Sequence, residues 1–562
     1  MKLLKLHIKS EFRGLNSGIS LEFRNHSYYE NDDKEPICLV GLNGSGKSNT
    51  LEALAEIFYY LELKTIVSGS QKEKIDKRFD FLQFQLSYRI TSLKWKYLFS
   101  RHPSIPLSAE ALVTVNCSKQ KGENVSLIIT DSQKPDQKWE LPEELWKEAL
   151  PDKVIGYSSG QNELISNPFT KLNFYYFQEF QKNIDASGSE VEANTELNRM
   201  FFMDYDSNEL ILLANFLFAT NEKDISGDEK EKVNDVNNLL GIKALHSFRI
   251  RIQFRAHDDK GVILAPELNL GIEKLKRCAT SWSDNEGSVK RKRDRIVLLD
   301  YYVDVGVQNA FRNEFKTAYE LFRMLYLLRM MNIHAIAPKS RARVQEVTLG
   351  TNLNDLIPQP DIDRLIFKVE SIGLVKKGVK EPVPYKHLSD GEHQLLHVLG
   401  TLKMMQENDV LFLLDEPETH FNPEWRAKMV RLILETQEEE YIEHDHFITS
   451  HSPFIISDCK PTNVYYFEKA NGKRTVKTAH EMRLNTFGAS VNQLTEEIFN
   501  KTESQGEYAG KTIKELMERD YKTQKEINQA KEDARVLGDS AEKALLFRKL
   551  LMLEDEIEKK DK

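Results

Sequence analysis

Apolar and polar residues alternate at the start of the chain. Leu4, Leu6 and Ile8 stand against Lys5, His7 and Lys9, which predicts a strand with one buried face. Ile37–Val40 is a short, wholly apolar run, and the spacing of Leu51, Leu54, Ala55 and Phe58 after it predicts a helix. Between about Phe79 and Ser132, four runs (Phe81–Leu86, Leu93–Leu98, Leu112–Val115 and Val125–Ile129) read as strands of an antiparallel amino-terminal lobe. Val154–Tyr157 reads as a strand that runs into the polar turn Ser158–Glu163. From about Asn167 to Arg295 this regular pattern is lost. Leu210–Phe218 reads there as a helix and Phe248–Phe254 as a strand. Helical spacing returns over Asn309–Met331, with Phe311, Phe315, Ala318, Phe322, Leu325 and Leu328.

Leu365–Val375 and Val379–Tyr385 read as a hairpin with its turn at Lys376-Lys377-Gly378. Val410–Leu414 is an apolar run of strand length ending in Asp415-Glu416. Asp445–Ile456 adds a strand that ends at His451, and Val464–Phe467 is another. Two charged helical stretches close the chain, parted near Leu537-Gly538, with Asp539-Ser540-Ala541-Glu542 as a cap for the last. That last helix carries Leu545, Leu546, Leu550, Leu551 and Leu553, an apolar stripe expected to need a partner surface.

The 562 residues are 40% hydrophobic, enough for more than one lobe around a substantial core. Net charge is −9, so any nucleic-acid contact must come from local basic patches. Three such patches are Lys94 and Lys96 around Trp95, Lys290–Arg293, and Lys339, Arg341 and Arg343; the first two read first as solvated faces, with DNA or RNA contact as the alternative. The four cysteines are scattered without a C-x-x-C pair, which argues against a zinc ribbon or disulfide framework and fits a reduced, cytoplasmic setting. The first residues alternate and do not resemble a signal peptide. No apolar run approaches the roughly 18 residues of a membrane span, so no membrane partner is expected.

The chemistry is concentrated in two places. Gly41-Leu42-Asn43-Gly44-Ser45-Gly46-Lys47-Ser48 is a complete G-x-x-x-x-G-K-S loop between a predicted strand and a predicted helix. Glycines there let backbone N–H groups converge on phosphates at a helix N-terminus, Lys47 can reach the β- and γ-phosphates, and Ser48 can ligate Mg2+. Far along the chain, Leu388-Ser389-Asp390-Gly391-Glu392 opens a helix, Val410–Glu416 ends in two acids, and Thr449-Ser450-His451-Ser452-Pro453 follows a strand.

Together these motifs resemble an ATPase of the ABC type, in the branch that includes SMC, RecF and OLD-family proteins. Gly46-Lys47-Ser48-Asn49 is the phosphate-loop form usual in that branch, LSDGE matches the ABC signature, LFLLDEPE the Walker B strand, and TSHSP the histidine switch. The resemblance implies an α/β fold with an ABC-type phosphate-loop core built from residues 1–165 and 360–474. A mainly helical lobe, 166–359, is inserted between the halves, and a helical, partner-binding extension spans 475–562. ATP and Mg2+ are the implied ligands. Asn43, Gly44, Ser45, Gly46, Lys47, Ser48 and Asn49 would hold the nucleotide, and Ser48 and Asp415 the metal. Glu416 would activate the water and His451 contact the γ-phosphate. Gln161 would contact Mg2+ and the attacking water, with an ordinary strand exit as the alternative. Arg13 would contact phosphate or base, with a solvated arginine as the alternative. Ser389, Asp390, Gly391 and Glu392 would cap the nucleotide of a second subunit, which implies a two-fold dimer.

The segment Gly488-Ala489-Ser490-Val491-Asn492 after the switch resembles ATPases of two-gene bacterial antiphage systems, the PtuA-like proteins of Septu and retron loci. That implies an ATP-driven sensor and regulator of a separate effector nuclease of the HNH type. A RecF-like DNA-repair ATPase is the first alternative. An OLD-like ATPase–nuclease is the second, disfavoured because the residues after His451 carry no D-x-D run on a strand.

Overall fold

The computed structural model describes residues 1–24, 34–67, 69–160, 163–187, 199–219, 239–257, 261–346, 353, 356–357, 360–436, 443–470, 472–499 and 506–560. Contacts divide the chain into two units, Met1–Gly488 and Ala489–Lys562. In chain order the described strands are β1 (Lys2–Ile8), β2 (Ile19–Glu22), β3 (Ile37–Gly41), β4 (Phe84–Arg89), β5 (Val113–Lys119), β6 (Ser126–Asp131), β7 (Lys134–Glu140), β8 (Lys153–Ser158) and β9 (Met200–Met203). They continue with β10 (Ile242–Gln253), β11 (Ser281–Asp284), β12 (Ile296–Tyr302), β13 (Phe367–Lys376), β14 (Val383–Pro384), β15 (Val410–Asp415), β16 (His444–Thr449), β17 (Val464–Ala470) and β18 (Lys473–Thr478).

The first unit holds an α/β core. Its central sheet runs β18-β17-β3-β16-β15-β8-β9 and is parallel except for the β17–β18 hairpin at one edge. Strands β3, β15 and β16 are buried along their whole length. That is why each reads as a continuous run and not an alternation: both faces of a parallel sheet are covered. The helix Lys47–Ile66 is buried nearly all round. Four of its buried charges are met by an opposite charge from another part of the chain. Glu52 pairs with Arg13, Glu56 with Lys171 at 3.6 Å, Glu62 with Arg199 at 2.9 Å, and Lys64 with Asp76 at 2.7 Å. Removing one partner of such a pair would leave a buried charge uncompensated.

An antiparallel sheet, β2-β1-β4-β5-β6-β7, forms the amino-terminal layer. One of its expected strands is not a strand. Leu93–Leu98 lies in a helix, Ser92–Arg101, whose N-cap Thr91 accepts from the Lys94 amide. Trp95 and Leu98, three residues apart, form the buried stripe, while Leu93 and Tyr97 are exposed. Two further bonds hold the cap from a distant part of the chain: the Thr91 amide and hydroxyl both donate to the buried carboxylate of Asp409.

The segment expected as a mainly helical lobe also carries a sheet, β11-β12-β10-β13-β14. Strand β10 is its centre, paired antiparallel with β12 on one side and β13 on the other. Because β13 and β14 come from beyond residue 360, this sheet crosses the boundary drawn there. The expected β13–β14 hairpin is present, with Gly378 at positive φ in its turn. Helices Pro266–Cys278, Val305–Glu314 and Ala318–Met330 belong to the same segment. No helix among the described residues is long and apolar enough to cross a membrane.

The second unit is helical, with helices Val491–Phe499, Glu507–Glu518, Gln524–Arg535 and Ala541–Lys560. Ser540 accepts from the Lys543 amide and caps the last helix, in the expected place. The expected pair of charged stretches is further broken between Glu518 and Gln524, where Thr523 and Glu526 form a capping box. The apolar stripe of the last helix is partly covered within the unit itself. Leu546 and Leu550 are fully buried in a cluster with Leu516, Tyr521, Ile527, Ala530 and Ala534. Leu545 and Leu551 remain about half exposed, at 53% and 52%.

Candidate functional site

The site forms where β3, β15, β16 and β8 end, on the carboxyl side of the parallel sheet, the edge at which open α/β sheets place their ligands. Strand register brings its parts together. Asp415 on β15 pairs with Thr449 on β16 and with Ser158 on β8, so the three stand in one row. Phe447, Ile448 and Thr449 pair with Ile37, Cys38 and Leu39 on β3, which sets the loop after β3 beside that row.

The loop needs its glycines. Gly41, Gly44 and Gly46 all have positive φ. A Cβ on Gly41 would strike the Phe467 carbonyl oxygen. One on Gly46 would come within 2.9 Å of Leu15 and 3.1 Å of Arg474. Gly44, by contrast, faces open space. Gly46 then caps the twenty-residue helix that begins at Lys47, whose first N–H groups make an anion-binding end. Ser45 is buried, Asn43 is exposed and Asn49 is half-buried.

Lys47 donates to the carbonyls of Gly41 (2.9 Å) and Leu42 (3.3 Å), and its ammonium lies 3.0 Å from His451 Nε2. Burial lowers its pKa, opposed by Glu416 and Asp415. His451 is held down to about 4, chiefly by burial and then by Lys47, so its imidazole is neutral near pH 7. The Ser48 hydroxyl donates to Asp415 Oδ1 at 2.7 Å, and Thr449 donates to the same oxygen at 2.6 Å. A hydroxyl and a carboxylate side by side are the hard oxygen donors that Mg2+ takes, in company with phosphate oxygens and water. The donor set therefore fits the ion.

Glu416 has a φ of 49°, in the left-handed region. Such a conformation persists in a non-glycine residue only where its surroundings hold it. Here the Glu416 amide donates to the Thr449 hydroxyl (3.0 Å), and the Thr419 hydroxyl donates to the Glu416 carbonyl (2.9 Å). Its carboxylate lies 3.5 Å from His451 Nε2. Burial, then the neighbouring Asp415, raises its pKa. Glu418 is buried and its carboxyl is pushed up to about 7 by burial; it accepts from the Ser450 hydroxyl and so braces the switch segment.

The structure thus brings Lys47, Ser48, Asp415, Glu416 and His451 into one cluster. Arg13 is beside the loop in the chain's path, since its neighbours Gly14 and Leu15 pack against it, but its guanidinium is turned to Glu52 on the helix that follows the loop. Gln161 falls outside the described residues. Ser159, two residues earlier, is anchored to the Asp415 carbonyl (3.1 Å) and to the Thr419 hydroxyl (2.9 Å). The signature residues form a separate group. Ser389 is the N-cap of the helix Asp390–Met404 and makes a capping box with Glu392, which also pairs with Lys376. Gly391 allows close packing, because a Cβ would sit 2.7 Å from the His420 carbonyl oxygen. Ser389 and Asp390 are exposed. Lys94, one of the basic candidates, is spent on Asp152 and the Leu150 carbonyl; Arg341, another, lies over the Phe177 ring.

Thr449, Ser158, Thr419 and Arg474 were missed by sequence reasoning. Thr449 alone left a signal, as the last strand residue before Ser450-His451. The other three are recognisable only once the strand register and loop contacts are known.

Residues 275–457 match the family model described as "AAA domain, putative AbiEii toxin, Type IV TA system". That stretch contains the signature, Asp415-Glu416 and His451, and leaves out the phosphate loop. No curated protein matches the chain. Among solved structures it is similar to "the SmcHead bound to the C-winged helix domain of ScpA", at 11% identity and a TM-score of 0.32, over 85% of this chain and 98% of that one. It is also similar to an SMC head domain from Thermotoga maritima (10%, TM-score 0.30, 85% and 99% covered). A third is an Smc head domain with a coiled coil and joint derived from Pyrococcus yayanosii (13%, 0.30, 86% and 98%).

Proposed function

We propose that the chain binds ATP with Mg2+ at the Gly41–Ser48 loop and hydrolyses it, and that it acts as the sensor and regulator of a separate effector nuclease in antiphage defence. One observation carries the ATPase reading. Lys47 and Ser48 are hydrogen-bonded or adjacent to Asp415, Glu416 and His451, residues more than 360 positions away. In this reading Lys47 leaves the loop carbonyls for the phosphates, and Ser48 and Asp415 hold the metal, which when bound offsets charge on the phosphates. Glu416, its pKa raised by burial, accepts a proton from the attacking water. The neutral His451 donates an imidazole N–H to a γ-phosphate oxygen without adding charge. The experiment measures nucleotide binding and phosphate release by the purified chain with and without Mg2+. Turnover that needs Mg2+ supports the reading, and no nucleotide binding under either condition refutes it.

The exposed Ser389 and Asp390 support action on the nucleotide of a second copy. Ser389→Arg is expected to abolish ATPase activity while nucleotide still binds the loop. Mixing it in equal amount with Lys47→Ala restores one composite site in each heterodimer, about half of a randomly paired mixture, so activity of about a quarter of wild type is expected. An active, monomeric Ser389→Arg variant would rule out action in trans.

The regulator role rests on the second unit, whose Leu545, Leu551 and Met552 are exposed on one helix, and on the resemblance of Gly488–Asn492 to two-gene defence ATPases. Deleting residues from Ser504 onward is expected to leave ATPase activity and to abolish co-purification with the product of the neighbouring gene. Retained co-purification would move the docking surface to the first unit.

A further inference from the structure

Arg474 stands against the phosphate loop from an unexpected direction. It lies on β18, the edge strand of the central sheet, opposite Lys469 of β17. Strand β17 pairs with β3, bringing Phe467 level with Gly41, so the hairpin flanks the loop along its length. The guanidinium donates to the Gly44 carbonyl through Nε (3.4 Å) and Nη2 (3.2 Å), and Nη1 donates to the Gly14 carbonyl. Its side chain fills the space beside two glycines of positive φ. A Cβ on Gly46 would meet Arg474 Cδ at 3.1 Å, and one on Gly14 would meet Nη1 at 2.5 Å.

What Arg474 lacks is an anion. Among the described residues, carbonyl oxygens are the guanidinium's only hydrogen-bond partners and no carboxylate pairs with it. The loop's own lysine is placed the same way, donating to the carbonyls of Gly41 and Leu42. A guanidinium carries five N–H donors in a fork that matches a phosphate, and its bonds to a charged oxygen are about twice as strong as those between neutral groups. Two carbonyls leave donors to spare at the apex of the loop.

We propose that Arg474 is a second cationic ligand for the nucleotide's polyphosphate. Resting on the proposed ATP site, it exchanges the Gly44 and Gly14 carbonyls for the diphosphate part that ATP and ADP share. It sits at the loop's apex, while Glu416 and His451 lie at the far end of Lys47, where the terminal phosphate reacts. Arg474 therefore contributes to affinity and leaves the chemical step to them.

The test titrates purified full-length wild type, Arg474→Gln and Arg474→Lys with ATP, ADP and adenosine, and measures kcat and KM for ATP. Arg474→Gln is expected to weaken ATP and ADP equally, by about 10-fold or more, since a bond to a charged group is lost. Adenosine binding should be unmoved. Arg474→Lys should recover part of the loss, KM should rise with Kd, and kcat at saturating ATP should stay within about twofold. Unchanged affinity in Arg474→Gln overturns the proposal. So does equal loss in both variants together with a lower thermal midpoint without nucleotide, which would make Arg474 a structural staple of the loop. If wild type itself binds neither ATP nor ADP, the ATP site fails, and that result is read from wild type alone.

Discussion

Lys47→Ala is expected to lose nucleotide binding by roughly 30- to 1000-fold in Kd, equivalent to about 2 to 4 kcal/mol. The ammonium is largely buried, and burial already lowers its pKa. A charge-assisted bond to phosphate is therefore made in a poorly solvated place, where its loss is costly. The same nitrogen also donates to the Gly41 and Leu42 carbonyls, so the variant could unsettle its own loop. Thermal unfolding without nucleotide separates the two effects: the midpoint should stay close to wild type while affinity collapses. Titration calorimetry that finds wild-type affinity in a folded Lys47→Ala protein would remove the loop from the site.

Glu416→Gln should bind ATP normally and hydrolyse it about 10²-fold more slowly, or worse. The amide keeps the size of the side chain, and the backbone bonds to Thr449 and Thr419 that hold its left-handed conformation do not involve the carboxylate. What it loses is the base. Since burial and Asp415 raise the Glu416 pKa, the carboxylate is a stronger base than an ordinary one and gains its proton at higher pH. In wild type, kcat should accordingly fall as pH drops through that raised value, above the usual range near 4.3. The variant should lack this acid limb. His451, held near 4, is already neutral above that point and cannot supply the limb itself. A wild-type rate in Glu416→Gln, with the pH profile unchanged, would assign the proton to another group.

Three features of the chain were legible because their physics is local. The Gly41–Ser48 loop is a contiguous set of backbone demands, with positive φ at Gly41, Gly44 and Gly46 and a helix starting at Lys47, and contiguous demands leave a contiguous pattern. Strands β3, β15 and β16 are covered on both faces, so each writes an unbroken apolar run. Ser389 and Glu392 read as a helix opening for the same reason, their capping box lying within four residues.

Where sequence reasoning failed, the deciding interaction was distant. Leu93–Leu98 is short enough to read as either element. It became a helix under a Thr91 cap whose amide and hydroxyl are tied to Asp409, 318 positions away. The inserted lobe was expected to be mainly helical because β10 finds its partners, β12 and β13, only across long stretches of chain. The stripe at Leu546 and Leu550 suggested an outside partner, yet helices of its own unit bury both.

The candidate site divides in the same way. From its sequence alone this protein determined its phosphate loop, the two acids where β15 ends and the histidine after β16, because each is a short motif whose residues act on their immediate neighbours. Only the tertiary structure decided that Thr449 and Ser158 stand level with Asp415, that Arg13 turns to Glu52, and that Arg474 reaches Gly44. Those placements follow from strand register and from the pairing of buried charges, and both are set by contacts between segments that no local pattern records.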